Sequence, residues 1–207
     1  MREFVVVVCA ALAVAGCSAE AGPAKPDRSG ALRELVLPDD VTAPHGLVRA
    51  GEPVAGVREL VECPDLASAD QAEAGVTATW TWSRDGREVT LTQYNAVYRV
   101  PGRDVVEQAR TASNCHRAEE SGRLRADLDT DEYFHLNTAL PATTPAVDDR
   151  YAYCVTNRVR EHSVCTGILA KGDEVVRLTV DGKGDRRGME SPSVEMFAQA
   201  LTDRLST

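Results

Sequence analysis

The residues best suited to bind a ligand are aromatic side chains on two neighbouring strands, with arginines beside them. Apolar residues alternate with threonines from Val76 to Trp82, and Asp85-Gly86 follows as a two-residue hairpin turn. Rings on one side of such a hairpin would form an aromatic wall, and arginines beside it would pair with an anionic ligand. The predicted ligand-binding residues are Trp80, Trp82, Tyr94, Tyr98, Arg84 and Arg99. The alternative is that these rings build the core of a chain in which only 5% of residues are aromatic.

Sequence patterns typical of catalytic or metal sites are absent. The chain has no G-x-S-x-G, H-E-x-x-H, S-x-x-K or P-loop pattern. Asp127, Asp129 and Asp131 imitate the start of a calcium loop. However, Glu132 stands where that loop needs glycine, and Thr138 where it needs a bidentate glutamate. We therefore expect no metal and no cofactor.

The histidines offer no obvious catalytic or metal-binding pattern either. The four histidines are His45, His116, His135 and His162, and none has a second histidine or a cysteine three or four residues away on a predicted helix. We predict that the protein is not an enzyme. The alternative is a hydrolase-type site assembled from distant residues such as Asp131, His135 and Ser163.

The first residues read as an export signal. Arg2 precedes an apolar run over residues 4–14, which is too short to span a bilayer but fits a signal peptide. The run ends in Val14-Ala15-Gly16-Cys17, which resembles the lipobox of bacterial lipoproteins. That resemblance implies cleavage after residue 16, a diacylglycerol on the Cys17 thiol and anchoring on the outer side of the cell membrane. An ordinary secretory signal or an uncleaved anchor is the alternative.

Three segments follow from this interpretation. Residues 1–16 form the signal peptide, and residues 17–30 contain the lipidated cysteine and a flexible tether of small, charged and proline residues. Residues 31–207 form a single extracytoplasmic domain.

The remaining four cysteines indicate two disulfides in an exported domain. Cys154 and Cys165 are symmetric about a turn near Val159-Arg160, which places them directly opposite one another in a hairpin. Cys63–Cys115 follows by elimination. A zinc site or a redox pair is the alternative, but the chain has no C-x-x-C spacing.

The elements that must position these residues indicate an α+β domain: an antiparallel β-sheet with helices packed on one face and two disulfides. Residues 31–75 read as an irregular, proline- and glycine-rich wrap. In the return strand the apolar residues change parity after Leu91, which predicts a β-bulge near Thr92-Gln93. The predicted elements are strands over 76–82, 87–100, 151–158, 162–170 and 174–181, a helix over 103–121, and a final helix that begins at Ser191-Pro192.

Composition limits the class of partner. The 207 residues carry a net charge of −9, which disfavours nucleic acid because binding needs lysine and arginine to replace phosphate counterions. The bias to Arg, Ala, Val and Asp is typical of a GC-rich bacterial genome. The expected partners are the membrane, through the acyl chains on Cys17, and an unknown small molecule, lipid or protein of the cell envelope.

The order of these features resembles mycobacterial lipoproteins and the PknH-like extracellular domain family over residues 31–207. Cys63 precedes a tryptophan-bearing strand, Cys115 lies on the predicted helix, and Cys154 and Cys165 lie in paired strands before a C-terminal amphipathic helix. The resemblance implies an antiparallel sheet with helices on one side, disulfides that pair the first cysteine with the second and the third with the fourth, and a cleft for an unknown ligand. That family often has a tryptophan shortly before the helix cysteine, where this chain has Thr-Ala-Ser-Asn. No family site residue is therefore carried over.

These observations predict a lipid-anchored, non-catalytic protein of the cell envelope with a sensor-like or ligand-binding domain. The enzyme described above is one alternative. The other is a structural or adaptor lipoprotein that acts through protein contacts.

Overall fold

The computed structural model describes residues 28–60, 71–112, 132–136, 147–157, 161–183 and 193–206. Within them, short and medium-length helices pack against one antiparallel sheet. The helices are α1 (Ser29–Glu34), α2 (Asp39–Thr42), α3 (Gly102–Ala112) and α4 (Val194–Leu205), with a 3₁₀ turn at Ala43–His45. The strands are β1 (Val48–Arg49), β2 (Val54–Ala55), β3 (Ala72–Arg84), β4 (Arg87–Tyr98), β5 (Glu132–Leu136), β6 (Asp149–Asn157), β7 (His162–Lys171) and β8 (Glu174–Lys183).

The sheet order is β1-β3-β4-β8-β7-β6-β5, and β2 also pairs with β3. The β3–β4 turn has Asp85 and Gly86 at φ +52° and +74°, as a tight hairpin of this kind requires. The antiparallel α+β architecture is confirmed, and so are the strands from residue 149 onward to within two residues at each end. The predictions for residues 1–27, for Cys63 and Cys115, for Asp127 to Asp131 and for His116 concern residues outside the described ranges.

Apolar side chains cover both faces of the sheet. On one face, which we call the tryptophan face, Trp80 and Trp82 pack with Leu32 of α1 and with Phe197 and Leu201 of α4. The opposite face, the tyrosine face, is defined by four tyrosines and is covered by α3. Its tyrosines are Tyr94, Tyr98, Tyr151 and Tyr153.

The prediction that the helices pack on one face is therefore wrong. Val105, Val106 and Ala109 of α3 are fully buried against the tyrosine face, whereas α1 and α4 pack on the tryptophan face. The physical reason is that the central strands are apolar on both sides, so each face has to be covered.

The predicted bulge in β4 is also wrong. Pairing between β3 and β4 is continuous from Ala74–Val97 to Arg84–Arg87, and the irregularity lies at Ala72/Ala74. The apolar parity changes because Gln93 and Asn95 occupy inward positions on the tryptophan face, where both are fully buried. Polar residues in the core produced the same sequence signal as a shifted strand.

The final helix starts later than predicted. Helix α4 begins at Val194, with Ser193 in extended conformation before it, rather than at Ser191-Pro192. Its apolar residues Val194, Phe197, Leu201 and Leu205 are buried, as expected of an amphipathic helix. The described part of α3 ends at Ala112, and the rest of the predicted helix lies outside the described residues.

Candidate functional site

The disulfide Cys154–Cys165 is confirmed. The two residues are directly opposite one another in the β6–β7 hairpin, with Cα atoms 4.0 Å apart. It joins neighbouring strands on the tryptophan face, so it fixes the register of this hairpin.

The predicted aromatic wall does not form as one surface. Trp80 is opposite Leu91 in the hairpin and Tyr94 is opposite Thr77, so tryptophans and tyrosines point to opposite faces. Trp80 is fully buried and lies under the guanidinium of Arg49, 5.0 Å from the ring centroid. Arg84 lies at the far tip of the hairpin, 69% exposed and 3.6 Å from Asp85.

Tyr94 is held by a segment that crosses the tyrosine face. Its hydroxyl accepts a 3.0 Å hydrogen bond from the backbone N–H of Arg58, and Arg177 lies over its ring. Arg177 also donates to the backbone carbonyls of Glu59 and Leu60, at 2.9 and 3.0 Å. Burial raises the pKa of Tyr94 above its ordinary value, although the N–H of Arg58 and the charge of Arg177 oppose the shift.

Tyr98 and Arg99, in contrast, line a cleft of about 690 Å³ at one end of the sheet. The end of β4, the start of α3 and the β7–β8 turn surround it. Its lining residues are Tyr98, Arg99, Val100, Pro101, Arg103, Asp148, Gly172 and Asp173. The structure thus brings two of the six predicted ligand-binding residues together in one concave site.

A close backbone approach builds this cleft. The N–H of Gly102 donates to the carbonyl of Gly172 at 2.7 Å, and the N–H of Tyr98 donates to that of Asp173 at 3.0 Å. A Cβ on Gly102 would lie 3.0 Å from both the Ala170 side chain and the Glu174 carbonyl. Glycine therefore lets α3 start directly against the β7–β8 turn.

Tyr98 is the buried polar group of the cleft. The residue is 1% exposed, and its hydroxyl, which lies beside that of Tyr94, has almost no accessible surface. Burial, followed by the neighbouring Tyr94, raises its pKa far above the ordinary value, so the hydroxyl stays protonated. Tyr98 therefore forms part of the cleft wall, and its hydroxyl is not open to the cleft.

The charges around the cleft fall into two groups. Asp148 accepts from the Gly172 N–H at 2.7 Å and from Lys171 at 3.1 Å, which lowers the pKa of this carboxyl. Asp173 accepts two hydrogen bonds from Arg28, at 2.7 and 3.3 Å. These carboxylates are engaged by short contacts.

The two arginines of the cleft are held more loosely. Arg99 is 65% exposed and 3.7 Å from Glu73, and Arg103 is 70% exposed and 3.5 Å from Asp104. Both distances exceed those of a short hydrogen bond. The two guanidinium groups can therefore turn toward an anionic group in the cleft without breaking a short contact.

Sequence reasoning did not select Arg103, Asp148 or Asp173. The sequence predicts strand ends at residues 100 and 170, but the meeting of these two boundaries depends on the β4–β8 register. That register pairs Val97 with Glu174 and so places the two boundaries side by side.

Of the residues proposed for a hydrolase-type site, the structure describes the side chain of Ser163 alone. Ser163 Oγ lies 3.9 Å from the sulfur of Cys165. The backbone of His135 on β5 pairs with Cys154 on β6, and β6 pairs in turn with β7, which carries Ser163. Asp131 lies outside the described residues.

His162 and His45 each contact a side chain of another element. His162 Nε2 is 2.6 Å from Asp181, and His45 packs edge-on against the Phe197 ring. Within the described ranges, no group of three or more His, Cys, Asp or Glu residues is placed to hold a metal ion. No helix among these residues is both long and apolar enough to cross a membrane.

The geometry can be compared with known proteins. No protein-family model matches the chain, and no curated protein matches it. Among solved structures, the chain is similar to the extracellular domain of PknH from Mycobacterium tuberculosis, with a TM-score of 0.52 and 11% sequence identity. The match covers 86% of this chain and 93% of that one.

The chain has the fold of the PknH extracellular domain. At this identity the likeness establishes the fold and no more. The resemblance predicted from the order of cysteines and strands is confirmed at that level. The roles of Tyr98 and Arg99 in ligand binding stay predictions.

Proposed function

We propose that this protein is a non-catalytic domain, lipid-anchored to the outer face of the cell membrane, that binds a small polar ligand in the cleft beside Tyr98. The lipobox at Cys17 supports the anchor, and the Cys154–Cys165 disulfide fits an oxidising compartment. The PknH extracellular domain, which has the same fold, supports an extracytoplasmic location.

The observation that carries the ligand site is one combination of groups. Two exposed arginines, Arg99 and Arg103, line a concave site of about 690 Å³ whose wall includes the buried Tyr98. Ligand sites usually combine an enclosed surface with a few convergent polar groups. Here Arg99 and Arg103 would bind an anionic or strongly polar group, and Tyr98 would form part of the wall beside it.

Native mass spectrometry of the exported, oxidised full chain tests the ligand. We expect an added mass that is lost on denaturation and that is reduced in Arg99→Gln, which removes a cation of the cleft. Arg84→Gln is the control, because Arg84 is similarly exposed but lies at the opposite end of the sheet and does not line the cleft. An unmodified mass after incubation with envelope lipid and glycan extracts would contradict a ligand-binding function.

Membrane fractionation of the full chain tests the anchor. Cys17→Ser removes the thiol that would take the lipid, so we expect the variant to leave the membrane fraction. Continued full retention of the variant would contradict lipid anchoring.

An adaptor function has one observation in its favour. Val48 and Val54 are 67% and 60% exposed, and both lie opposite residues of β3 that point to the tyrosine face. Such an edge would suit a protein contact. Val54→Glu should then abolish binding of a purified partner, whereas a ligand-binding protein should keep its cleft ligand in this variant.

A further inference from the structure

Arg28, which precedes α1, lies at the rim of the cleft. Arg28 bonds to both carboxylate oxygens of Asp173, a lining residue, and is 4.0 Å from Glu73. Glu73 in turn is the acidic neighbour of Arg99. These contacts hold Arg28 at the cleft rim.

The distance from this point to the lipidation site is short. Cys17 precedes Arg28 by eleven residues (28 − 17), which span at most about 40 Å when extended. If residues 18–27 form the flexible tether that the sequence predicts, their mean end-to-end distance is about 20 Å. If Cys17 is anchored as proposed above, the cleft rim stays close to the membrane surface.

The opposite end of the sheet is far from Arg28 and the cleft. The β3 strand has 13 residues and β4 has 12, and both run from the cleft end to the Asp85-Gly86 turn. At about 3.3 Å per residue they separate the two ends by roughly 40 Å. The domain thus has a membrane-near end with the cleft and a distal end with the β3–β4 turn.

We propose that the cleft faces the membrane and takes the phosphate-bearing headgroup of a membrane lipid. This inference rests on the proposed anchor and ligand site, and it names both the ligand class and the orientation. Arg99 and Arg103 bind the phosphate, because guanidinium groups match phosphate oxygens in pairs. Val100 and Pro101 supply apolar contact beside them.

Specific contacts rather than overall charge must hold the headgroup. The chain carries a net charge of −9, which opposes attraction to an anionic surface. The carboxylates of the cleft are already engaged by Arg28, Lys171 and the Gly172 N–H. Arg99 and Arg103 have only long contacts, so they are the cations that a phosphate can recruit.

Hydrogen exchange of the full, lipidated chain in nanodiscs tests the orientation and the ligand together. One set of discs contains phosphatidylethanolamine and phosphatidylglycerol, and the other contains a phosphate-free glycosyl diacylglycerol. We expect slower exchange in peptides covering residues 98–104 and 170–175 in the phospholipid discs only. The peptide covering residues 83–88 should exchange equally in both.

The chain offers a matched pair of variants. Arg103 and Arg84 are 70% and 69% exposed, and each pairs with the following aspartate, at 3.5 and 3.6 Å. Arg103→Gln removes a cleft cation, whereas Arg84→Gln removes an equivalent cation at the distal end. We expect Arg103→Gln to weaken binding of glycerophosphoethanolamine about tenfold, the usual effect of one charge-assisted hydrogen bond, and Arg84→Gln to leave it unchanged.

The remaining outcomes separate the two proposals. Slower exchange at residues 83–88, or equal protection in both kinds of disc, would overturn the inference. Cleft protection by free glycerophosphoethanolamine but not by phospholipid discs would overturn the membrane source and leave the ligand site standing. A purified chain without acyl groups on Cys17 would overturn the anchor and the inference together.

Discussion

The side-chain amide of Gln93 donates a 2.8 Å hydrogen bond to the side-chain oxygen of Asn95, two residues further along the same face of β4. Both side chains are fully buried, and both hold the segment around the end of α1. Gln93 accepts from the Leu37 N–H at 2.9 Å and donates to the Leu35 carbonyl at 2.8 Å, and Asn95 donates to the Leu32 carbonyl at 2.9 Å. The sheet thus supplies partners for backbone groups that a short helix leaves unpaired at its end.

Replacing Gln93 by methionine should lower the free energy of unfolding by about 3 kcal/mol, because buried backbone groups of the α1 segment lose their partners. Urea unfolding followed by circular dichroism measures the change. Thr92→Val is the control on the opposite face of β4 and should change stability by less than about 1 kcal/mol. A similar loss in both variants would contradict a specific role for the Gln93 network.

Gly75→Ala should destabilise the fold by about 2 kcal/mol through a steric clash. A Cβ at this position would lie 2.5 Å from the Gly56 carbonyl oxygen and 2.8 Å from the Tyr94 hydroxyl. Thermal unfolding measures the effect. Gly30→Ala in α1 is the control, because its Cβ would meet nothing within 4 Å and alanine favours helix, so this variant should be no less stable than the wild type.

Removal of the Cys154–Cys165 disulfide should cost about 3 kcal/mol, since it closes a short loop and restricts the unfolded chain. The double variant Cys154→Ala, Cys165→Ala tests this by urea unfolding under oxidising conditions. Reduction of the wild type should lower its stability at least as much, whereas reduction should shift the double variant less. An unfolding midpoint in the double variant equal to that of the oxidised wild type would show that the disulfide does not stabilise the fold.

Protonation of Asp148 should lower the stability of the protein in acid. The Gly172 N–H and then Lys171 lower the native pKa of Asp148 below its ordinary value of about 3.9. Its stabilising effect is therefore present above about pH 4 and is lost as the pH falls through the native pKa. Asp148→Asn should show a smaller loss of stability over that window, measured by urea midpoints at a series of pH values.

Glu174 provides a control of opposite sign. Burial, followed by the charge of Asp173, raises the native pKa of Glu174 above the ordinary value. For this carboxyl, the free energy of unfolding rises as the pH falls through the native pKa. Glu174→Gln should therefore lack this rise on acidification. Equal acid sensitivity of the two variants would contradict the assigned directions.

Local patterns in the sequence were sufficient for several elements. Asp85-Gly86 predicts its hairpin because few residue pairs adopt positive φ at both turn positions. The symmetric spacing of Cys154 and Cys165 predicts their pairing, because the two strands joined by a short turn must lie in register. The stripe from Val194 to Leu205 predicts the buried side of α4 although the start of the helix was placed too early.

The faces of the sheet could not be obtained in this way. Gln93 and Asn95 look like outward residues in the sequence, and only the α1 backbone groups that they bind make their burial favourable. Reading them as outward placed Tyr94 and Tyr98 on the same side as Trp80 and Trp82.

The sequence by itself determined the elements whose signals are local: the hairpin turn, the late strands, the Cys154–Cys165 pair and the apolar stripe of α4. The tertiary structure alone decided that Tyr98 and Arg99 share a cleft with Arg103 and Asp173, and that Arg28 lies at the rim of this cleft. The physical reason is that these residues meet through the β4–β8 register and through one ion pair across 145 positions of the chain. Such contacts depend on how complete strands align and pack, which no short stretch of residues encodes.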